Sequence, residues 1–470
     1  MDFPQRPALS ARSPHEGIYL LAALSAGLGL RILTLLSAPA IELDGIGYAT
    51  VAARFAKGLF GQALSGVFPP VYPLAVAFFH LFIPDFELAG RLVSLVCGML
   101  AIYVSFLFAK RLYPQGAKPV WIAFLVAFQP YLVRYSGAVL SESLAVLLFA
   151  LAFFAFYTGW RDERRGRIAA SGLCLTLTYL ARPEYIAFYA PFLFVLLMKR
   201  RFRDSVLFLS PFLVLGVLYI CALRWETGLW MVSGKATLSP FVPLGAAFGN
   251  APFVACEFLV ALFPVFFALA LFGIRKVEKP YRNLVFLLAA CHVASLSFVS
   301  HATRRYSVEF VPVAMPFVVE GLYAAETRLR RFFLTPAGGS RLLPAVRAAM
   351  VSLIVASAVF QSYVPPHEGR ALHKKAGLFL LRYDPGSIVA SRLPLVAFYE
   401  KGESVDLLSG MSREKDLEHF KRFVAEKKAA YLVFDEELDE ELPFLRSYLS
   451  RLAPVFAASG PGVFLKVYRL

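Results

Sequence analysis

Four short segments hold side chains that could do chemistry. Glu42 and Asp44 sit in IELDGIGYAT, directly after an apolar stretch, with Gly45, Gly47, Tyr48 and Arg54 behind them. The run Tyr135-Ser136-Gly137-Ala138-Val139-Leu140-Ser141-Glu142-Ser143 carries a third acid. Ala181-Arg182-Pro183-Glu184-Tyr185 interrupts one apolar run, and Ser300-His301-Ala302-Thr303-Arg304-Arg305-Tyr306 precedes another. A carboxylate within hydrogen-bond reach of a hydroxyl or amine can orient it and take its proton. Arginine meets a phosphate through a planar fork, and that contact is strong in dry surroundings. Each segment also has a plain structural reading. Ser141 could cap a helix that has Glu142 in its first turn. Arg182 and Glu184 could simply neutralise each other beside a helix-breaking proline. Arg304, Arg305 and Tyr306 could anchor to lipid headgroups. His301 reads as structural, and Lys235 is a weaker candidate in a polar loop.

The surroundings give these charges their weight. The chain has 470 residues, 58% hydrophobic and 17% charged, with a mean hydropathy of +0.63. A soluble domain carries about 25% charged residues, so this composition belongs to a membrane protein with many spans. The 45 Phe and the repeated Leu, Ala and Val runs do not alternate as barrel strands do. Helices are then the only way to satisfy the backbone in lipid. The net charge of +16 lies in short clusters between apolar runs. That pattern reads as loops against anionic lipid rather than as a nucleic-acid surface. The five cysteines all fall in apolar segments, and none pairs at metal-ligand spacing. Acids and bases within such a chain are costly and need a reason.

Candidate spans are Ile18–Ala38, Leu88–Phe108, Val120–Val139, Ser143–Trp160, Ile168–Leu180, Tyr185–Met198, Ser205–Leu223, Pro252–Phe272, Leu284–Val299, Phe310–Ala325 and Leu343–Tyr363. The first reads as a retained span rather than a cleaved signal. Val71–Ile83 is apolar but shorter than the roughly 20 residues a span needs, so it should dip in or lie flat. Placing the basic loops Lys110–Lys118, Arg161–Arg167, Lys199–Arg203, Arg275–Arg282 and Arg328–Arg347 in the cytoplasm gives about 11 transmembrane helices, with 12 or 13 as alternatives. Glu42, Asp44, Glu142, Arg182, Lys235 and the Arg304–Tyr306 cluster then share the outer face. Residues 1–364 form the membrane domain, with an outer loop at 39–87. Residues 365–470 are more charged and hold no spanning run. There SIVA, AAYLVF and VFLKVY read as strands, and Glu414–Lys428 reads as a helix with Leu417, Phe420 and Phe423 on its apolar stripe. The fold class is an all-α polytopic membrane protein with a small C-terminal α/β domain.

The order of LDGIGYATVAARFAKGLF, PPVYPLAVAFFHLF and ELAGRLVSLVCG, with Tyr72 in the second and Gly90-Arg91-Leu92 in the third, resembles the GT-C superfamily of polytopic glycosyltransferases. The nearest branch holds the protein O-mannosyltransferases and the lipid A aminoarabinose transferases. The resemblance covers roughly residues 15–325. It implies a donor sugar linked to polyprenyl phosphate and an inverting transfer at the outer face of the cytoplasmic membrane. It maps the catalytic carboxylate onto Asp44, with Glu42 as rival, and a second acid onto Glu142. It maps an Arg-Tyr element that binds the donor phosphate onto Arg305-Tyr306, joined by Arg304, Arg182 and Tyr72. A divalent cation, Mg2+ or Mn2+, held by Asp44 and Glu142, is the one cofactor the resemblance admits. The acceptor is left open among lipid A, protein and surface glycan. Two other readings compete: a lipid-linked sugar flippase, which should show internal repeats and midplane charges, and a ligase or polymerase that moves whole glycans from the same carrier.

Overall fold

The computed structural model describes residues 16–64, 66–237, 242–300, 303–333, 342–362, 368–411 and 415–470. The chain forms two compact units, one of residues 1–35 and 48–363, the other of residues 36–47 and 364–470.

The larger unit is helical. Its elements include α1 (Glu16–Ser37), α2 (Leu43–Ala56), α3 (Val71–His80), α4 (Phe86–Leu112), α5 (Lys118–Phe128), α6 (Pro130–Ser136), α7 (Glu142–Arg161) and α8 (Arg165–Ala181). They continue through α9 (Tyr189–Met198), α10 (Phe202–Thr227), α11 (Leu244–Ala261), α12 (Pro264–Gly273), α13 (Lys279–Ser297), α14 (Val311–Phe333) and α15 (Leu342–Ser362). Among the described residues, six helices are long and apolar enough to cross a membrane, and several shorter apolar helices lie between them. The chain is therefore a multi-pass membrane protein.

Three expectations about the spans need correction. Val120–Val139 is not one helix, because it breaks at Gln129-Pro130. Proline has no N–H to donate there. The Gln129 side chain compensates by accepting from Leu132 N at 2.8 Å and donating to Ala261 O at 2.9 Å. Pro252–Phe272 also divides, at Phe263, whose φ of 73° no helix accepts. The stretch 39–87 is not an open loop. It holds α2, a turn at Phe60–Leu64 and α3. At ten residues, α3 reaches about 15 Å, half of a hydrocarbon core.

Glycines set how closely the helices approach. A Cβ on Gly273 would lie 1.9 Å from Phe317 O, and one on Gly321 would lie 1.8 Å from Leu269 O. Helices α12 and α14 thus meet backbone to backbone, as small residues permit in lipid.

In the smaller unit the sheet order is β2-β1-β3-β5-β4, with β1 Ile388–Ser391, β2 Glu403–Asp406, β3 Tyr431–Asp435, β4 Phe456–Gly460 and β5 Val463–Arg469. β2, β1 and β3 run parallel, and β5 is antiparallel to β3 and β4. β3 is buried along its whole length. Its alternation sends Leu432 and Phe434 to a layer with Phe420, Leu438 and Leu445. Tyr431 and Val433 join Leu372, Ala376 and Leu380 of the helix Glu368–Tyr383. At the carboxyl end of β3, Asp435 accepts from Leu438 N at 2.8 Å and lies 3.3 Å from His373 Nε2. Burial works against this carboxylate, but His373, the Leu438 N–H and Arg392 outweigh it and hold its pKa below the usual carboxylate range.

Two outcomes follow for stability. Gly321→Val forces α12 and α14 apart and costs about 3 kcal/mol, lowering the melting temperature, whereas Gly245→Val, which meets open space, leaves it nearly unchanged. A carboxylate with a depressed folded pKa contributes stability above its unfolded pKa and loses it as pH falls through the folded value. Wild type should therefore lose more melting temperature between about pH 7 and about pH 3 than Asp435→Asn does.

Candidate functional site

The proline of Arg182-Pro183 ends α8, leaving Arg182 in extended backbone at φ −148° and ψ 107°. The chain continues as a short 3-10 turn, Pro183–Phe188, before α9. Glu142 opens α7, as a helix start favours for an acid. Two further 3-10 turns, Arg304–Tyr306 and Val308–Phe310, lead into α14. These helix ends bring charges together inside the larger unit.

Arg182 is the centre. Its side chain is 1% exposed and faces three carboxylates. Its Nη1 lies 2.9 Å from Glu142 Oε1, and its Nε lies 2.7 Å from Glu184 Oε1 and 3.3 Å from Glu309 Oε1. Its guanidinium sits 5.0 Å from the Tyr306 ring centroid, a cation–π distance. Glu142 and Glu309 are fully buried. Arg305 donates from Nε to Glu142 Oε1 at 2.7 Å, and its side chain remains 30% exposed. Arg304 is fixed beside it. Its backbone N–H donates to Glu257 Oε2 at 2.7 Å, and its Nη1 donates to Tyr131 OH at 3.3 Å.

The floor of this cluster is aromatic. Phe149 packs on Phe188 and Phe310 at 5.0 and 5.4 Å between ring centroids, and His292 stacks on Phe188 at 5.4 Å. Such a floor keeps water out and makes each charge contact count for more. To one side lies a cavity of about 190 Å³ whose lining includes Glu184, Lys235, Tyr306, Ile186 and Leu296. Burial works against the Lys235 ammonium, but Tyr48 and Glu184 outweigh it and leave its pKa raised above ordinary lysine.

The sequence-predicted residues divide. Glu142, Arg182, Arg305 and Tyr306 come together, with Arg304 adjoining. Ser141 does not cap α7 with its side chain. Its hydroxyl instead pairs with Tyr48 OH at 2.8 Å. Tyr72, expected near the phosphate, is fully buried with its hydroxyl donated to Gly90 O at 3.0 Å, so it pins α3 to α4. Glu42 and Asp44 lie in the segment 36–47, which belongs to the smaller unit. Glu42 O accepts the first helical bond of α2, from Ile46 N at 3.1 Å, and Asp44 stands in the first turn. His301 lies outside the described residues. Glu309 and Glu257 escaped the sequence reading. Glu309 carried a signal, an acid directly before the candidate span Phe310–Ala325. Glu257 likewise sits alone in an apolar stretch.

A divalent cation at Glu142 would have to compete with the arginines that already meet its Oε1. Two guanidiniums already face that carboxylate, and a third positive centre would be repelled. Among the described residues, no three His, Cys, Asp or Glu side chains group as a metal site.

Removing Arg182 leaves three carboxylates buried without their shared partner. Arg182→Gln should cost about 3–5 kcal/mol and lower the melting temperature well below that of Arg305→Gln, whose site is partly solvated.

Residues 68–225 match a family described as Dolichyl-phosphate-mannose-protein mannosyltransferase. No curated protein matches the chain by sequence. Among solved structures, ArnT from Cupriavidus metallidurans bound to undecaprenyl phosphate aligns at a TM-score of 0.67 and 12% identity, over 97% of this chain and 99% of that one. Its apo form aligns at 0.60 and 13% identity, covering 97% and 98%. The archaeal oligosaccharyltransferase AglB from Archaeoglobus fulgidus, in complex with an inhibitory peptide and a dolichol-phosphate, aligns at 0.52 and 12% identity, covering 97% of this chain and 74% of that one. The chain thus has the fold of the GT-C membrane glycosyltransferases.

Proposed function

We propose that this chain is a polyprenyl-phosphate-dependent membrane glycosyltransferase, inverting, and working at the outer face of the cytoplasmic membrane. The observation that carries the reading is Arg305. It is a partly exposed guanidinium held from behind by a buried carboxylate, in a fold shared with ArnT bound to undecaprenyl phosphate. The family match over residues 68–225 points to the same class of donor.

The donor's isoprenoid tail stays in the bilayer and its phosphate meets Arg305 and Arg304. As the bond from the anomeric carbon to the phosphate oxygen breaks, negative charge moves onto the phosphate. Fixed guanidiniums favour that charge more than the ground state. Phosphate leaves as a stable anion, so no general acid is needed. Asp44 takes the proton of the acceptor hydroxyl or amine as it attacks the anomeric carbon from the opposite side. Its assignment over Glu42 rests on motif order. Glu142 is sealed beneath Arg305 and acts through the arginines as a positioning residue. Arg182 fixes Glu142 and the Tyr306 ring. The smaller unit, placed outside the cell by the charge of the loops, is the natural selector of the acceptor. A flippase needs no carboxylate to activate an acceptor.

Purified protein given labelled polyprenyl-phosphate sugar and membrane acceptors should release free polyprenyl phosphate. Asp44→Asn should lower kcat by about 10²–10⁴ with little change in KM. Full activity in Asp44→Asn together with its loss in Glu42→Gln moves the base to Glu42. Movement of intact lipid-linked sugar across liposomes, with no phosphate lipid released, rejects the transferase reading.

A further inference from the structure

At the other end of α7 and α8 the larger unit carries a second charged feature. Two tight turns, Asp162–Arg164 and Lys199–Arg201, border a groove of about 1390 Å³. Eight basic side chains and two acidic ones line it. α7 has 20 residues, so the groove is about 30 Å from Glu142 at 1.5 Å per residue.

The turns are bolted together below the groove. Buried Asp204 pairs with Arg201 and, at 3.5 Å, with Arg165. Arg201 also donates from Nη1 to Trp160 O at 2.9 Å. Asp162 is taken up by Arg167 at 2.6 Å and Arg111 at 3.2 Å. These pairs take up Asp162 and Asp204, which leaves Glu163 as the one acid on the groove outside them. Among the described residues, no carboxylate pairs with Arg164, Lys199, Arg200 or Arg203, and all four are exposed. Four like charges around one groove repel one another, and an anion removes that repulsion.

Its neighbours decide which anion. Met198, Phe202 and Val206 are 67%, 62% and 66% exposed. Phe202 itself lines the groove. A free phosphate ion has no use for exposed apolar side chains at a membrane surface. A molecule with an anionic head and apolar chains satisfies both halves.

We infer that this groove holds the phosphate-bearing headgroup of an anionic phospholipid, with its acyl chains against Met198, Phe202 and Val206. The lipid bridges the α7–α8 and α9–α10 turns and stiffens the helices whose far ends carry Glu142 and Arg182. The inference does not depend on the transfer reaction, since its readouts are lipid retention and melting temperature.

The test uses the full-length protein in nanodiscs of phosphatidylcholine, with or without phosphatidylglycerol. Wild type should retain phosphatidylglycerol in native mass spectrometry and melt several degrees higher with it. R164Q/R200Q/R203Q should retain about tenfold less and lose the added stability. R164K/R200K/R203K should behave as wild type, which separates charge from folding. K276Q/K279Q/R282Q, which removes as much charge from another loop, should also keep both effects. Undiminished retention in the Gln variant, or equal loss in the 276/279/282 variant, overturns the site. A wild-type rise produced equally by inorganic phosphate in phosphatidylcholine overturns the assignment to lipid.

Discussion

One guanidinium buried among three carboxylates organises the helical unit. Arg182 is closed off from solvent, and so are Glu142 and Glu309. Taking such charges out of solvent costs several kcal/mol per ion, recovered only if every partner arrives together in good geometry. Those partners come from distant parts of the chain: the start of α7, the turn after α8 and the turns before α14. The cluster is therefore a poor source of net stability and a strict device for register. It admits few arrangements of these helix ends, because a misplaced end leaves a bare charge in an aromatic pocket.

That constraint separates a sealed arginine from one that a ligand can reach. Arg182 is sealed, with no exposed surface for a ligand to reach. Arg305 shares the Glu142 oxygen with it and has a side chain 30% exposed. The buried layer thus sets the partly solvated layer, and the proposed carrier phosphate meets a preorganised cation rather than a flexible one. Close glycine contacts, such as Gly273 against Gly321, serve the same end by fixing helix spacing.

Much of this was legible in the sequence, for physical reasons that differ by element. Long apolar runs gave the spans, since lipid tolerates nothing else. Arg182-Pro183 marked a helix end because proline cannot continue one. Strands β1, β3 and β5 were legible because they are apolar runs at the centre of the sheet. β2 and β4 were not, being short edge strands, ESVD and FAASG, of charged or small residues. The breaks at Gln129 and Phe263 carry the same proline signal in Pro130 and Pro264, but there the apolar run continues on both sides and masks it. Arg31 is similar: a fully buried arginine in α1, held by Gly27 O, Ala127 O and Ser136 Oγ, whose partners are mostly carbonyls that no sequence pattern displays. Pairing Glu142 with Arg305 across 163 positions was invisible locally; the shared face was inferred only from loop charges.

The central claim is that Arg305, braced by Glu142, receives the phosphate of a polyprenyl carrier. Direct binding tests it: the affinity of polyprenyl phosphate for the purified protein in nanodiscs, wild type against Arg305→Gln, with melting temperature confirming the fold. A loss of about tenfold or more is the predicted result. Equal affinity in the two proteins contradicts it.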